Sequence, residues 1–256
     1  SLATPRKRCA MSGLSGLSGL SGLSGVAGGV AWTPLSLSPV VWLKQNTLLF
    51  SDAGTTPAVD TDPIYRWGDS SGNSNHANQA TLGNRPIYSS GSGWASFTAA
   101  SSHFMTITNA ASIQWASAAP RSYIALLQLT ATSSYPVISG KGTGSRDEFR
   151  FYDSGPKPDY ATSGGVDGCT STPSFGTGTT GMIAAVETGT AIFLYIGNTQ
   201  VGTDASSVPV ANSNNLHIGS RGGSSLFCSM KLLEYIVMPT AISTGDLALL
   251  ETYWGV

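Results

Sequence analysis

The densest run of side chains able to ligate or hydrogen-bond is DSSGNSNHANQ, residues 69–79. Asp69, Asn73 and Asn75 can each bond nearby backbone and Gly72 tolerates a positive φ, so the run predicts an ordered loop closed by Asx-turns. Hard cations take the same residue types, which makes Asp69, Asn73 and Asn75 the candidate metal ligands. Calcium prefers more charge than one carboxylate supplies, so no bound metal is expected. His76 has no second His or Cys at ligand spacing and reads as a loop hydrogen-bonder.

Acid–base chemistry on a glycosidic bond with retention needs two carboxylates about 5–5.5 Å apart. Asp147 and Glu148 are adjacent, so on a strand they point to opposite faces, and solvation or pairing with Arg146 and Arg150 is the expected role. No G-x-S-x-G links a strand to a helix, and GKGTG (140–144) lacks the order and following helix of a phosphate loop, so it reads as a turn. The chain is expected to be non-enzymatic and without a cofactor. Sugar contact would need an exposed aromatic platform beside amides and carboxylates. Trp67, Trp94, Trp115, Tyr135, Tyr152 and Tyr160 qualify by type. Trp67 and Trp94 are expected in the core; Tyr160, within PKPDYATSGG, is expected to be exposed, with Trp115 as the other candidate contact.

Short strands must position these residues. Alternating or apolar runs at 40–45, 94–99, 103–108, 122–130, 148–153, 181–187, 191–197, 216–219 and 227–238 are separated by Gly, Asn, Pro and Ser clusters, the pattern of an antiparallel sandwich. SYIALLQLT (122–130) is almost continuously apolar and is expected to be central. In EFRFYD, Glu148, Arg150 and Tyr152 are expected on a wet face. Only the C-terminal stretch reads as helical: Ser243 and Asp246 have capping-box form, and Leu247, Leu250, Tyr253 and Trp254 form one stripe, expected to pack.

Composition agrees. Charged residues are 11% of the 256, against about 25% in typical globular chains. The formal net charge is −1 and basic residues beyond residue 8 are scattered, so no nucleic-acid face is expected. The three cysteines are odd in number and widely spaced, which argues against zinc or a disulfide framework and leaves a 169–228 bridge open. No secretory apolar core and no run of roughly 18 apolar residues is present, so membrane insertion is not expected.

Three stretches resemble bacterial and phage laminin-G-like, concanavalin-A-like domains: WGDSSGNSNHANQATLGNRP (67–86), GWASFTAASSHFMTI (93–107) and LHIG…EYIVM…YWG (216–255). Thr98 and Ala99 stand where that family has Asp-Gly, and Ser229 where it often has glycine. The resemblance implies an all-β, two-sheet antiparallel jelly-roll sandwich over 40–256 with a short C-terminal helix. It does not fix a function, because the fold hosts sugar-binding, catalytic and structural domains.

Ahead of this domain, Gly13, Gly16, Gly19, Gly22, Gly25 and Gly28 recur at every third position over 12–28, followed by a proline-punctuated linker at 29–39. Strict glycine phase is what a collagen-like three-chain stalk requires, since only hydrogen fits at its axis. A flexible linker needs no such phase. The leader at 1–11, with Pro5, Arg6, Lys7 and Arg8, resembles the short N-terminal peptide of small phage structural proteins. Together these imply a virion-surface homotrimer that docks to other virion proteins through its N-terminus and displays a jelly roll that binds host-surface carbohydrate. The alternatives are a carbohydrate-binding module of a secreted or cell-surface protein and a glycan-degrading enzyme.

Overall fold

The computed structural model describes residues 31–142, 147–152, 156–162, 167–170, 174–204 and 211–256. The glycine triplets Gly13 to Gly28, the leader residues Pro5 to Arg8, and Arg146 lie outside the described residues. The strands are, in order, β1 (Val41–Leu43), β2 (Leu49–Phe50), β3 (Arg66–Trp67), β4 (Ala77–Asn78), β5 (Ile87–Ser89) and β6 (Trp94–Phe97). Next come β7 (Met105–Ile107), β8 (Arg121–Leu129), β9 (Val137–Lys141), β10 (Glu148–Tyr152), β11 (Lys157–Ala161) and β12 (Asp167–Thr170). Last are β13 (Thr180–Glu187), β14 (Ile192–Ile196), β15 (Thr199–Asp204), β16 (Leu216–Ile218), β17 (Met230–Met238) and the helix α1 (Thr244–Trp254).

They form two antiparallel sheets. An eight-stranded sheet runs β15-β14-β13-β8-β17-β6-β5 with β1 added on β17, and a nine-stranded sheet runs β12-β11-β10-β9-β16-β7-β4-β3-β2. Tyr123, Ala125 and Leu127 of β8 meet Phe149, Met105 and Ile218 of the other sheet in one core. Strand β8 is central, between β13 and β17, as its continuous apolar run predicts. Its other face, Ile124 and Leu126, is also buried, on the side where α1 lies: the Trp42 ring meets Tyr253, and Gly197 abuts Glu251. Burying a Leu or Ile contributes about 1.5–3 kcal/mol, so a strand covered on both faces is a major source of stability.

Helix α1 starts as read from sequence. Ser243 accepts the Asp246 N–H at 3.1 Å and its hydroxyl donates to the Asp246 carboxylate at 2.7 Å. Leu247 and Leu250 are buried, but Tyr253 and Trp254 are only half-buried, so the packing stripe is shorter than expected.

The sandwich also begins earlier than Val40. It occupies Thr33–Val256, and the 3-10 turn Pro34–Leu37 in the expected linker buries Pro34. Cys228 is a free, fully buried thiol that burial pushes well up, which excludes the 169–228 bridge.

Candidate functional site

Register decides which side chains share a face. Ala77, Ile107, Leu216 and Lys141 are successive partners across β4, β7, β16 and β9 and point into the sandwich. The adjacent row, Asn78, Thr106, His217, Gly140 and Glu148, therefore lies on the outer face of the nine-stranded sheet. At the end of this row the 69–79 loop and the exit of β7 enclose a cleft of about 250 Å³ with Asn73, Asn75, His76, Asn78, Thr108 and Asn109 on its walls.

The loop is built on Asp69. Its Oδ1 accepts the N–H groups of Trp42 (2.8 Å) and Ser71 (2.9 Å), and its Oδ2 accepts the Ser71 hydroxyl (2.7 Å) and the Asn75 N–H (3.0 Å). Each carboxylate oxygen thus serves two protein donors. Among the described residues no cluster of three or more His, Cys, Asp or Glu could hold a metal. Asp69, Asn73 and Asn75 are loop-building residues.

The cleft amides are fixed one by one. Asn75 Nδ2 donates to Val40 O (2.7 Å) and Ser112 Oγ (2.9 Å), Asn73 Nδ2 to Pro39 O (3.1 Å), and Asn78 Nδ2 to His76 O (3.1 Å). Their carbonyl oxygens remain as acceptors. Asn109 is turned the other way, because its Oδ1 accepts from Lys141 Nζ at 3.0 Å, which leaves its NH2 as a donor. The Asp69 N–H donates to His76 Nδ1 at 2.9 Å, so the neutral ring carries its proton on Nε2. Burial, then the nearby Arg66 charge, lower the His76 pKa and keep the ring neutral. The walls hold three oriented acceptors and two oriented donors, without formal charge.

A second polar group is sealed inside the sandwich beside it. Arg121 opens β8 opposite Glu187 of β13; its Nε lies 2.9 Å from Glu187 Oε2 and its Nη2 3.4 Å from Asp147 Oδ1. Tyr160 and Tyr123 both donate to Asp147, and Trp115 Nε1 donates to the Tyr123 hydroxyl at 3.1 Å. Lys141 Nζ also donates to the Ile113 carbonyl. Burial raises Glu187 to about 7 against the pull of Arg121, and lowers Lys141 to about 8.

These contacts correct both aromatic candidates. Tyr160 is fully buried and Trp115 is 6% exposed, so neither forms a platform. PKPDYA is a strand whose alternate residues Pro158 and Tyr160 face inward; its prolines hide the pattern. Lys141 and Gly140, read as part of a turn, end β9. Asp147 and Glu148 do diverge. Glu148 faces outward, where Arg221 Nη2 pairs with it at 2.7 Å, while Arg150 pairs with Asp159 at 2.6 Å under the Tyr135 ring. The face expected to be wet is therefore covered at Glu148 and Arg150. Trp67 is in the core as expected, but Trp94 is half-buried, with Lys231 Nζ 4.0 Å from its ring centroid.

No family model and no curated protein matches the chain. Solved structures share its fold. The binding domain of Paraclostridial Mosquitocidal Protein 1 aligns with TM-score 0.57 at 12% identity, over 77% of this chain and 51% of that one. A GH54 α-L-arabinofuranosidase aligns with TM-score 0.57 at 12% identity, over 84% and 58%. Domain 4 of AbnA, a GH43 extracellular arabinanase from Geobacillus stearothermophilus solved with arabinotriose, aligns with TM-score 0.56 at 12% identity, over 75% and 98%. The chain spans about half the length of the first and nearly all of the last. At this identity the likeness is one of fold: a two-sheet β-sandwich.

Proposed function

We propose that Thr33–Val256 is a non-catalytic carbohydrate-binding module whose 69–79 loop cleft takes a neutral sugar. The observation that carries this is the set of uncharged walls with hydrogen-bond directions fixed in advance: Asn73, Asn75 and Asn78 accept, while His76 Nε2 and Asn109 donate. Pre-orientation lowers the ordering cost of recognising hydroxyl groups, which both donate and accept. At about 250 Å³ the cleft falls below the roughly 300–1,000 Å³ of drug-sized pockets and suits a single ring. The occurrence of the fold in the AbnA domain solved with arabinotriose supports the class of ligand.

Calorimetric titration with arabinotriose, with N-acetylneuraminic acid as the charged comparison, tests the reading. Saturable binding of the neutral sugar, weakened about tenfold (about 1.4 kcal/mol) by Asn78→Ala, is expected. Failure of arabinotriose and other neutral monosaccharides and oligosaccharides to bind at about 10 mM, a free energy weaker than about −3 kcal/mol, overturns it.

The glycine phase from Gly13 to Gly28 supports a further element of the proposal: the segment joins three chains, so that three modules are displayed together on a virion surface. Solution mass of the full chain tests this, with a trimer expected and a monomer contrary to it.

A further inference from the structure

The half-buried end of α1 borders a groove on the opposite side of the sandwich. Its volume is about 350 Å³, and Lys44, Gln45, Asn46, Glu234, Tyr253 and Trp254 line it. Three separate elements bring these residues together. The turn after β1 supplies the amides, the end of α1 supplies the two rings, and a bulge in β17 between Leu232 and Glu234 re-aims the carboxylate outward. Glu234 Oε2 accepts the Trp42 indole N–H at 2.8 Å, and Trp42 in turn meets Tyr253 edge-on at a centroid distance of 6.4 Å. The carboxylate is 3% exposed and is held by the strand beneath it.

The indole N–H of Trp254 lies toward Glu234 and helps offset the rise that burial imposes on that carboxyl; its nitrogen is closed to solvent, so Trp254 offers the groove its ring rather than its donor. The Tyr253 and Trp254 rings, with centroids 6.5 Å apart at an interplanar angle of 58°, offer two apolar faces meeting at an angle. Amides and a carboxylate lie on the same walls.

We propose that this groove is a second saccharide site, one that stacks the C–H face of a pyranose on Trp254 and Tyr253 and binds hydroxyls through the side-chain amides of Gln45 and Asn46. It differs in kind from the loop cleft, which has no aromatic wall, and it does not depend on that cleft binding anything. With both sites filled, one domain holds two sugar units on opposite sheets, so it can crosslink glycan chains as a monomer.

The test follows the indole 15N–1H cross-peaks of the full chain during titration with methyl β-D-galactopyranoside and, separately, arabinotriose. The Trp254 peak is identified by its loss in Trp254→Phe, and the melting temperature of that variant confirms folding. Saturable movement of the Trp254 peak with at least one probe is expected, unchanged in Asn78→Ala. In Trp254→Ala, which removes the stacking ring and whose folding is checked by its own melting temperature, shifts of the Gln45 and Asn46 side-chain amides should saturate at about tenfold higher probe concentration. A Trp254 peak unmoved by both probes overturns the proposal, as does a groove that saturates equally in Trp254→Ala. Because Asn78→Ala disables only the loop cleft, failure of that cleft and failure of this groove give different spectra.

Discussion

Lys141 Nζ, inside the sandwich, donates to Asn109 Oδ1 at 3.0 Å and so decides which end of that amide the cleft presents. Lys141→Met removes the donor and lets the amide rotate. Asn109→Ala removes the amide itself. Each is expected to weaken sugar binding by a similar factor of about 3–10, and because both act through one hydrogen bond the double variant should bind no more weakly than Asn109→Ala. Additive losses in calorimetry would show that Lys141 acts by another route.

Stability should depend on Glu187 with a definite sign. Its pKa is about 7 folded against 4.5 unfolded, so the folded state binds the extra proton. The resulting stabilisation is complete below about pH 4.5 and is lost as pH rises through about 7. Burial opposes the charge on Arg121, but Asp147 beside it holds the guanidinium protonated throughout. Lys141 contributes the opposite slope only above about pH 8, where the folded state has released a proton that the unfolded chain keeps. Urea unfolding at pH 5 and pH 7.5 should therefore show wild type losing on the order of 1–3 kcal/mol relative to Glu187→Gln. Parallel pH profiles would remove Glu187 from this role.

Chelation should have no effect. Each oxygen of Asp69 already serves two protein donors, so calcium and EDTA are expected to leave the melting temperature unchanged. Asp69→Asn should lower stability by about 2–4 kcal/mol, because an amide cannot accept all four donors. A calcium-dependent rise in melting temperature would contradict this account of the loop.

Gly19→Val is expected to lower the solution mass from trimer to monomer while leaving the melting temperature of the sandwich unchanged, since a side chain at a three-chain axis clashes. Sedimentation of the full chain reads the first effect and calorimetry the second. An unchanged mass refutes the stalk.

The long apolar runs were legible. β8, β13, β14 and β17 stand where their residue types predict, and so does the Ser243 cap. Two-residue strands such as Leu49–Phe50 and Ala77–Asn78 are too short to show a period, and their existence depends on partners far away in sequence. β11 was hidden by Pro156 and Pro158. The cleft was half legible: the density of Asx residues marks 69–79, but Asn109 joins the site only because β7 pairs with β4. The groove at Trp254 was masked by helical spacing, which places Leu247, Leu250, Tyr253 and Trp254 on one stripe and cannot say where the buried part of that stripe ends.

Strand β17 lies between β8 and β6 and also carries β1, so the middle of the eight-stranded sheet is the last of its strands to leave the ribosome. Until Met230–Met238 emerges, the flanking strands present unpaired edges. Assembly of this sheet consequently waits for its final strand. A chain stalled before Met230 would be an open half-sheet, and a target for chaperones and proteases rather than a partial module.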